Sequence, residues 1–158
     1  MNLTEKETTA INDLKTQEKS CIAKYTKYSK EAKDPVLRDL FNDLIKEEQK
    51  HFDSLDQVLN GTIPSCDCND KKGMEYAPSA TYTSGDNSED KQHDNFLATD
   101  CIGTEKLVSG EYNSDVFIFG NGKIRKLLAD IQVEEQNHAE MLYKYKMANG
   151  MAEAVLIQ

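Results

Sequence analysis

Glutamates and histidines recur at core positions of the apolar heptads in this sequence, and their spacing is typical of metal ligands. Each half of the chain carries one Glu-x-x-His pair and, 30 residues before the glutamate of that pair, a further heptad-core glutamate. Residues i and i+3 share a helix face, so the two members of each pair can reach one ion together. The six candidate ligands are Glu18, Glu48, His51, Glu105, Glu135 and His138.

Burying four carboxylates in these heptad seams requires a source of positive charge. One unpaired buried carboxylate costs on the order of several kcal/mol, and no Lys or Arg occupies the seams. Two divalent metal ions would balance the four negative charges, and a mixed oxygen and nitrogen donor set suits iron or manganese better than structural zinc. We therefore predict two divalent ions, either iron or manganese with iron favoured, and Glu18 and Glu105 either bridging or capping the pair.

The elements that must position these residues form an internal repeat. Adding 87 to a residue number in the second predicted helix gives the matching residue of the last, and Glu47-Glu48-Gln49-Lys50-His51 becomes Glu134-Glu135-Gln136-Asn137-His138. Helix signals include the N-cap and first-turn pair Asp34-Pro35 and the stop Asn60-Gly61. The predicted helices are 4–32, 35–60, one from about Asp94, and 123–147.

A polar segment separates the two predicted helical hairpins. Residues 60–93 contain no Leu, Val or Phe, so this stretch cannot form a core of its own. We predict an all-α single domain over residues 1–158, a four-helix bundle made of a hairpin at 4–60, a crossover linker at 61–93 and a hairpin at 94–148.

Composition excludes several classes of function. With 19 Lys+Arg against 28 Asp+Glu, the net charge of −9 disfavours nucleic-acid binding. No apolar run approaches the roughly 18 residues of a membrane span. The first residues contain no apolar segment of the secretory-signal kind. We expect a cytoplasmic protein whose four cysteines are reduced.

The ligand pattern resembles the ferritin-like di-metal carboxylate superfamily. The resemblance rests on a core Glu in each of two helices, a Glu-x-x-His in each of the other two, the equal 30-residue spacing and the long central connection. It implies a ferritin-like bundle, a di-iron or di-manganese centre and chemistry with peroxide or oxygen. A homodimer is also expected, since dimers are common among such bundles.

Two groups within this superfamily are the most similar. The di-metal pattern resembles the rubrerythrins, although this chain lacks their Cys-x-x-Cys pair and has Val108 three residues after Glu105. Residues 25–59, with Pro35-Val36-Leu37-Arg38-Asp39-Leu40-Phe41 and the Glu-Glu-Gln-x-His run, resemble the spore coat protein F family. That second resemblance implies a place in the spore coat beside other coat proteins. It leaves open the alternative of a structural coat component whose metal site is structural or vestigial.

Two glutamates and two tyrosines lie near the predicted ligands along the helices but are not assigned to the metal. We expect Glu47 and Glu134 to be solvated, with orientation of a ligand as the alternative. We expect Tyr25 and Tyr112 to fill the core, with hydrogen bonding or radical chemistry as the alternative.

The four cysteines and the third histidine are also expected to lie outside the predicted ligand set. Cys21 and Cys101 fall on the seams as small core residues. Cys66 and Cys68 should be exposed in the linker, either incidental or available for thiol chemistry. His93 is expected on the surface of the linker.

Overall fold

A computed structural model describes residues 2–66 and 70–152. The predicted all-α class is confirmed, and no strand occurs within those two ranges. A 3₁₀ turn over Val116–Ile118 precedes the last helix. The helices are α1 (Glu5–Glu31), α2 (Pro35–Leu59), α3 (Lys72–Glu75), α4 (Glu89–Asp115) and α5 (Gly122–Ala148).

Side-chain caps explain where the long helices begin. The Thr4 hydroxyl and the Glu7 carboxylate form a reciprocal capping box at the start of α1. Asp34 caps α2, as predicted, by accepting the Val36 N–H. Helix α4 begins earlier than the predicted Asp94, because the Ser88 hydroxyl accepts the Lys91 N–H at 3.2 Å. His93 therefore lies within α4, half-buried, and not in the linker.

Contacts between helices define their directions. Helix α1 packs against α2, and α4 packs against α5. Lys15 of α1 pairs with Asp56 of α2, and Lys146 of α5 bonds Thr99 of α4, so both pairs of helices are antiparallel. Gln17 and Lys24 of α1 bond Glu111 and Asp100 of α4, so these two helices are also antiparallel. Helices α2 and α4 consequently run in the same direction. The connection between them must return along a helix of 25 residues, roughly 37 Å long.

The connecting segment is held against the hairpins by its backbone. The Gly73 N–H donates to Asn137 Oδ1 at 3.2 Å, and Lys144 Nζ donates to the Gly73 carbonyl. A Cβ at position 73 would lie 2.5 Å from Asn137 Oδ1, so this close approach requires glycine. Farther along, Tyr82 N–H donates to Asn149 Oδ1 at 3.0 Å. The connecting segment also carries the short helix α3, which is docked along α5.

Two apolar clusters surround the middle of the helices. One contains Ile11, Leu14, Leu55, Ile124 and Leu128, among others. The second contains Tyr25, Phe41, Leu44, Leu97 and Leu142, among others. Glu18, which lies between Leu14 and Tyr25 along α1, therefore occupies a dry layer between the clusters. In the ranges that the structure describes, no helix has the length and apolarity needed to cross a lipid bilayer.

The Asp94 side chain forms hydrogen bonds that link α4 to two other segments of the fold. Its fully buried carboxylate accepts the backbone N–H groups of Lys33 and Asp34 at 2.9 and 2.8 Å. It also accepts the Tyr82 hydroxyl at 2.7 Å. The turn between α1 and α2, the linker and α4 thus share one charged acceptor.

Asp94→Ala should lower the free energy of unfolding by about 3 kcal/mol, because it leaves buried donors unsatisfied. Chemical denaturation measures the loss. The exposed Asp39 of α2 provides the control, and Asp39→Ala should change stability by less than about 0.5 kcal/mol. Equal losses in the two variants would contradict this role of Asp94.

Candidate metal centre

The structure brings all six candidate ligands together in the dry layer between the apolar clusters. The four glutamates are fully buried, and the histidines are 2% and 3% exposed. Two groups of four ligand atoms form, and within each group the atoms lie within 4.8 Å of one another. One group is Glu18, Glu48, His51 and Glu135, and the other is Glu48, Glu105, Glu135 and His138.

The two groups differ in which glutamates they share. Glu48 and Glu135 belong to both groups, whereas Glu18 and Glu105 each belong to one. The sequence left open whether Glu18 and Glu105 bridge or cap. The glutamates common to both groups are therefore those of the two Glu-x-x-His pairs, and Glu18 and Glu105, the terminal glutamates, lie at the two ends.

Both imidazoles direct Nδ1 toward the carboxylates. His51 Nδ1 lies 2.9 Å from Glu135 Oε1 and 3.3 Å from Glu48 Oε2. His138 Nδ1 lies 3.2 Å from Glu48 Oε1. The two rings are stacked with their centroids 5.6 Å apart. Each histidine of α2 and α5 therefore approaches the glutamate of the other helix as well as the glutamate of its own Glu-x-x-His pair.

Two tyrosines hold the terminal glutamates from the opposite hairpin. The Tyr25 hydroxyl donates to Glu105 Oε1, and the Tyr112 hydroxyl donates to Glu18 Oε1. Both tyrosines are buried, as the core-filling interpretation requires. That interpretation was incomplete, since the hydrogen-bonding alternative also holds. The second carboxylate oxygen of each of these glutamates is left available to bind a metal ion.

Glu47 and Glu134 occupy equivalent positions in the repeat but make different contacts. Glu134 Oε2 lies 2.5 Å from His51 Nε2, so the expectation of a solvated flank is wrong for Glu134. Glu47 instead binds Lys50 and Lys72, each at 2.8 Å. Sequence reasoning missed this difference because Lys72 comes from the linker, outside the repeat. A carboxylate behind a ligand histidine fixes the orientation of its ring.

Several buried ligand atoms form no hydrogen bond with the described residues, although His51 Nδ1 and Glu135 Oε1 lie only 2.9 Å apart. They are Glu18 Oε2, Glu48 Oε2, His51 Nδ1, Glu105 Oε2 and both carboxylate oxygens of Glu135. Within residues 2–66 and 70–152, no Lys or Arg forms an ion pair with any of the four buried glutamates. Orphaned buried acceptors of this number are costly unless a cation binds them. The donor set, three oxygens and one nitrogen in each group, fits a divalent transition metal.

The pKa shifts of the glutamates in the metal-free centre also indicate that the site needs positive charge. Burial, with repulsion from Glu48, raises the pKa of Glu18 to about 7. Burial and the neighbouring Glu105 and Glu48 raise the pKa of Glu135 well above its usual range. Burial alone would raise the pKa of Glu48 as well, but His138 and His51 hold it well below that range. Protons thus take the place of cations when no metal is bound.

The charge and burial of the centre also shift the pKa values of neighbouring histidines and cysteines. Burial alone would lower the pKa of His51, but surrounding carboxylates, led by Glu134 and Glu135, raise it strongly. Burial and the nearby carboxylates raise the pKa of the Cys21 thiol, so it is protonated and packs as a core residue. Cys101 is likewise buried. Cys66 is only half-buried, and Cys68 lies outside the described residues.

The metal-free protein should lose stability as the pH rises from 5 to 8. The carboxyl of Glu18 has a higher pKa folded than unfolded, so its contribution is complete below about pH 4.5 and is lost as the pH rises through about 7. The raised pKa of Glu135 acts in the same direction. His51 and His138 act in the same direction. Glu48 acts oppositely, but only below about pH 4.5.

Differential scanning calorimetry with a chelator present tests this dependence. Tm should fall on the order of 5–10 °C over that interval. The Tm of Glu18→Gln should fall less over the same interval, because the glutamine side chain cannot ionise. A Tm that rises between pH 5 and pH 8 would contradict the electrostatic account.

Comparison with known proteins gives one family. Residues 93–155 match the sequence model of the Coat F domain. The match covers most of α4 and all of α5, and it includes Glu105, Glu135 and His138. No curated protein and no solved structure matches the chain. The second hairpin is thus similar to a spore coat domain. The sequence resemblance to the same family rests on residues 25–59 of the first hairpin, which lie outside this match.

Proposed function

We propose that this chain is a spore-coat-associated protein that encloses a di-metal centre within a ferritin-like four-helix bundle. The observation that carries the metal assignment is the pair of overlapping, fully buried ligand groups with their unpartnered oxygen and nitrogen atoms. Coat association rests on the match of residues 93–155 to the Coat F domain.

The helix directions support the ferritin-like arrangement. Antiparallel contacts link α1 to α2, α1 to α4, and α4 to α5, so α2 and α4 are parallel and joined by a long crossover. Ferritin-like folds contain one such crossover, and each of the four long helices contributes a glutamate to the centre. In this chain those glutamates are Glu18, Glu48, Glu105 and Glu135.

Glu18 and His51 would hold one ion, Glu105 and His138 the other, and Glu48 and Glu135 would bind both. Two iron ions, or two manganese ions as the second choice, would supply electrons to peroxide or oxygen when bound. The protein's own residues orient this centre. Tyr25 and Tyr112 hold the outer oxygens of the terminal glutamates, and Glu134 fixes the ring of His51.

The Coat F match favours a second function, a structural component of the coat. Its partners would be other coat proteins or a second copy of this chain. The metal would then stabilise the fold without turnover, because it would remove the repulsion among buried carboxylates. Peroxide-dependent oxidation of the reduced centre over repeated cycles would favour the enzyme, and its absence in fully loaded protein would favour the structural role.

Metal content per chain tests the assignment. Protein purified without chelator or histidine tag should contain about two iron or manganese ions by elemental analysis. Glu48→Ala should lose both, because Glu48 belongs to both ligand groups. Glu47→Ala, one residue away and bound to lysines, should retain them. Equal metal content in Glu48→Ala and wild type, or no metal after anaerobic reconstitution with Fe²⁺ and Mn²⁺, would contradict the proposed site.

A further inference from the structure

The two ends of the centre are unequal although the sequence repeat makes their ligands equivalent. Glu134 occupies the outer nitrogen of His51. The equivalent contact between Glu47 and His138 is not made, because Lys72 and Lys50 bind Glu47. No residue in the described ranges forms a hydrogen bond with His138 Nε2, although this histidine is 97% buried.

A cavity lies at this end of the centre. It has a volume of about 340 Å³ between α2, α3 and α5, which is room for several water-sized molecules. His138 forms part of its wall, with Leu44, Tyr76 and Met141 as apolar neighbours. Because Nδ1 of His138 faces the carboxylates, the opposite edge of the ring faces the cavity. The cavity therefore reaches from the linker to a candidate metal ligand.

The charges of the wall select among small molecules. When His138 is a neutral metal ligand, the two lysines and three carboxylates of the wall leave one net negative charge beside apolar surface. Such a wall repels small anions more than it repels uncharged molecules. Hydrogen peroxide and dioxygen are uncharged at neutral pH, whereas superoxide and azide are anions.

We propose that this cavity is the route by which small uncharged oxidants reach the centre, at the end held by Glu105 and His138. The proposal rests on the proposed di-metal function. At the opposite end, the Glu134 carboxylate occupies Nε2 of His51. The linker is part of the site, since Lys72 withdraws Glu47 from His138 and Tyr76 forms part of the wall.

Exchange of the histidine C2 proton for deuterium tests the route in metal-free protein. Mass spectrometry follows each histidine separately, with half-buried His93 as the internal reference. Solvent in the cavity should make His138 exchange several-fold faster than His51. Met141→Trp fills the cavity and should slow His138 to the rate of His51. Equal rates for His138 and His51 in the wild type would overturn the proposal.

The repeat supplies a matched control. Ser54 is the residue equivalent to Met141, is also half-buried, and does not line this cavity. Ser54→Trp should leave the exchange of His138 unchanged. Circular dichroism verifies folding, and Met141→Phe replaces the tryptophan variant if that variant does not fold. Unchanged His138 exchange in a folded cavity-filling variant would also overturn the route.

Binding of a gas to the loaded protein gives a second readout. Nitric oxide, an uncharged probe, should bind the Fe²⁺-loaded wild type quickly and Met141→Trp several-fold more slowly, as followed by stopped-flow absorbance. Azide should bind more slowly than nitric oxide in the wild type. Equal nitric oxide rates in Met141→Trp and Ser54→Trp at equal iron content would contradict the route. A chain that takes up no iron would contradict the metal centre itself, while histidine exchange would still report on the cavity.

Discussion

Four carboxylates in a dry layer are the constraint on which the rest of this structure depends. Glu18, Glu48, Glu105 and Glu135 are fully buried, and apolar clusters lie on both sides of them. Water cannot solvate these charges there, so protons or metal ions must neutralise them. The raised pKa of Glu18 shows the first solution, and the unpartnered ligand atoms indicate the second.

The arrangement of the chain follows from this need. A glutamate at mid-height on each long helix meets its counterparts only if all four helices surround one axis. Crossed hydrogen bonds from Tyr25 to Glu105 and from Tyr112 to Glu18 then link the two hairpins through the centre itself. The linker breaks the resulting symmetry, because Lys72 binds Glu47 while Glu134 remains on His51. A duplicated hairpin thereby acquires one covered end and one end beside a cavity.

Heptad spacing and capping residues were sufficient to predict the four long helices, the Asp34 cap of α2 and the six residues that meet in the centre. These features depend on local periodicity and on short-range capping, which a sequence displays directly. The hydrogen-bond partners of Tyr25 and Tyr112 could not be predicted, because they depend on how one hairpin is rotated against the other. The docking of Gly73 on Asn137 and the early start of α4 at Ser88 were also missed. Both depend on a polar segment that carries no hydrophobic period.

Anomalous X-ray diffraction at the iron and manganese absorption edges is the most direct test of the central claim. Crystals of protein loaded anaerobically with Fe²⁺ or Mn²⁺ should show two peaks per chain. One peak should lie between Glu18 and His51 and the other between Glu105 and His138, with Glu48 and Glu135 contacting both. A loaded crystal with no peak in the carboxylate layer, or with metal bound only at surface residues, would contradict the account.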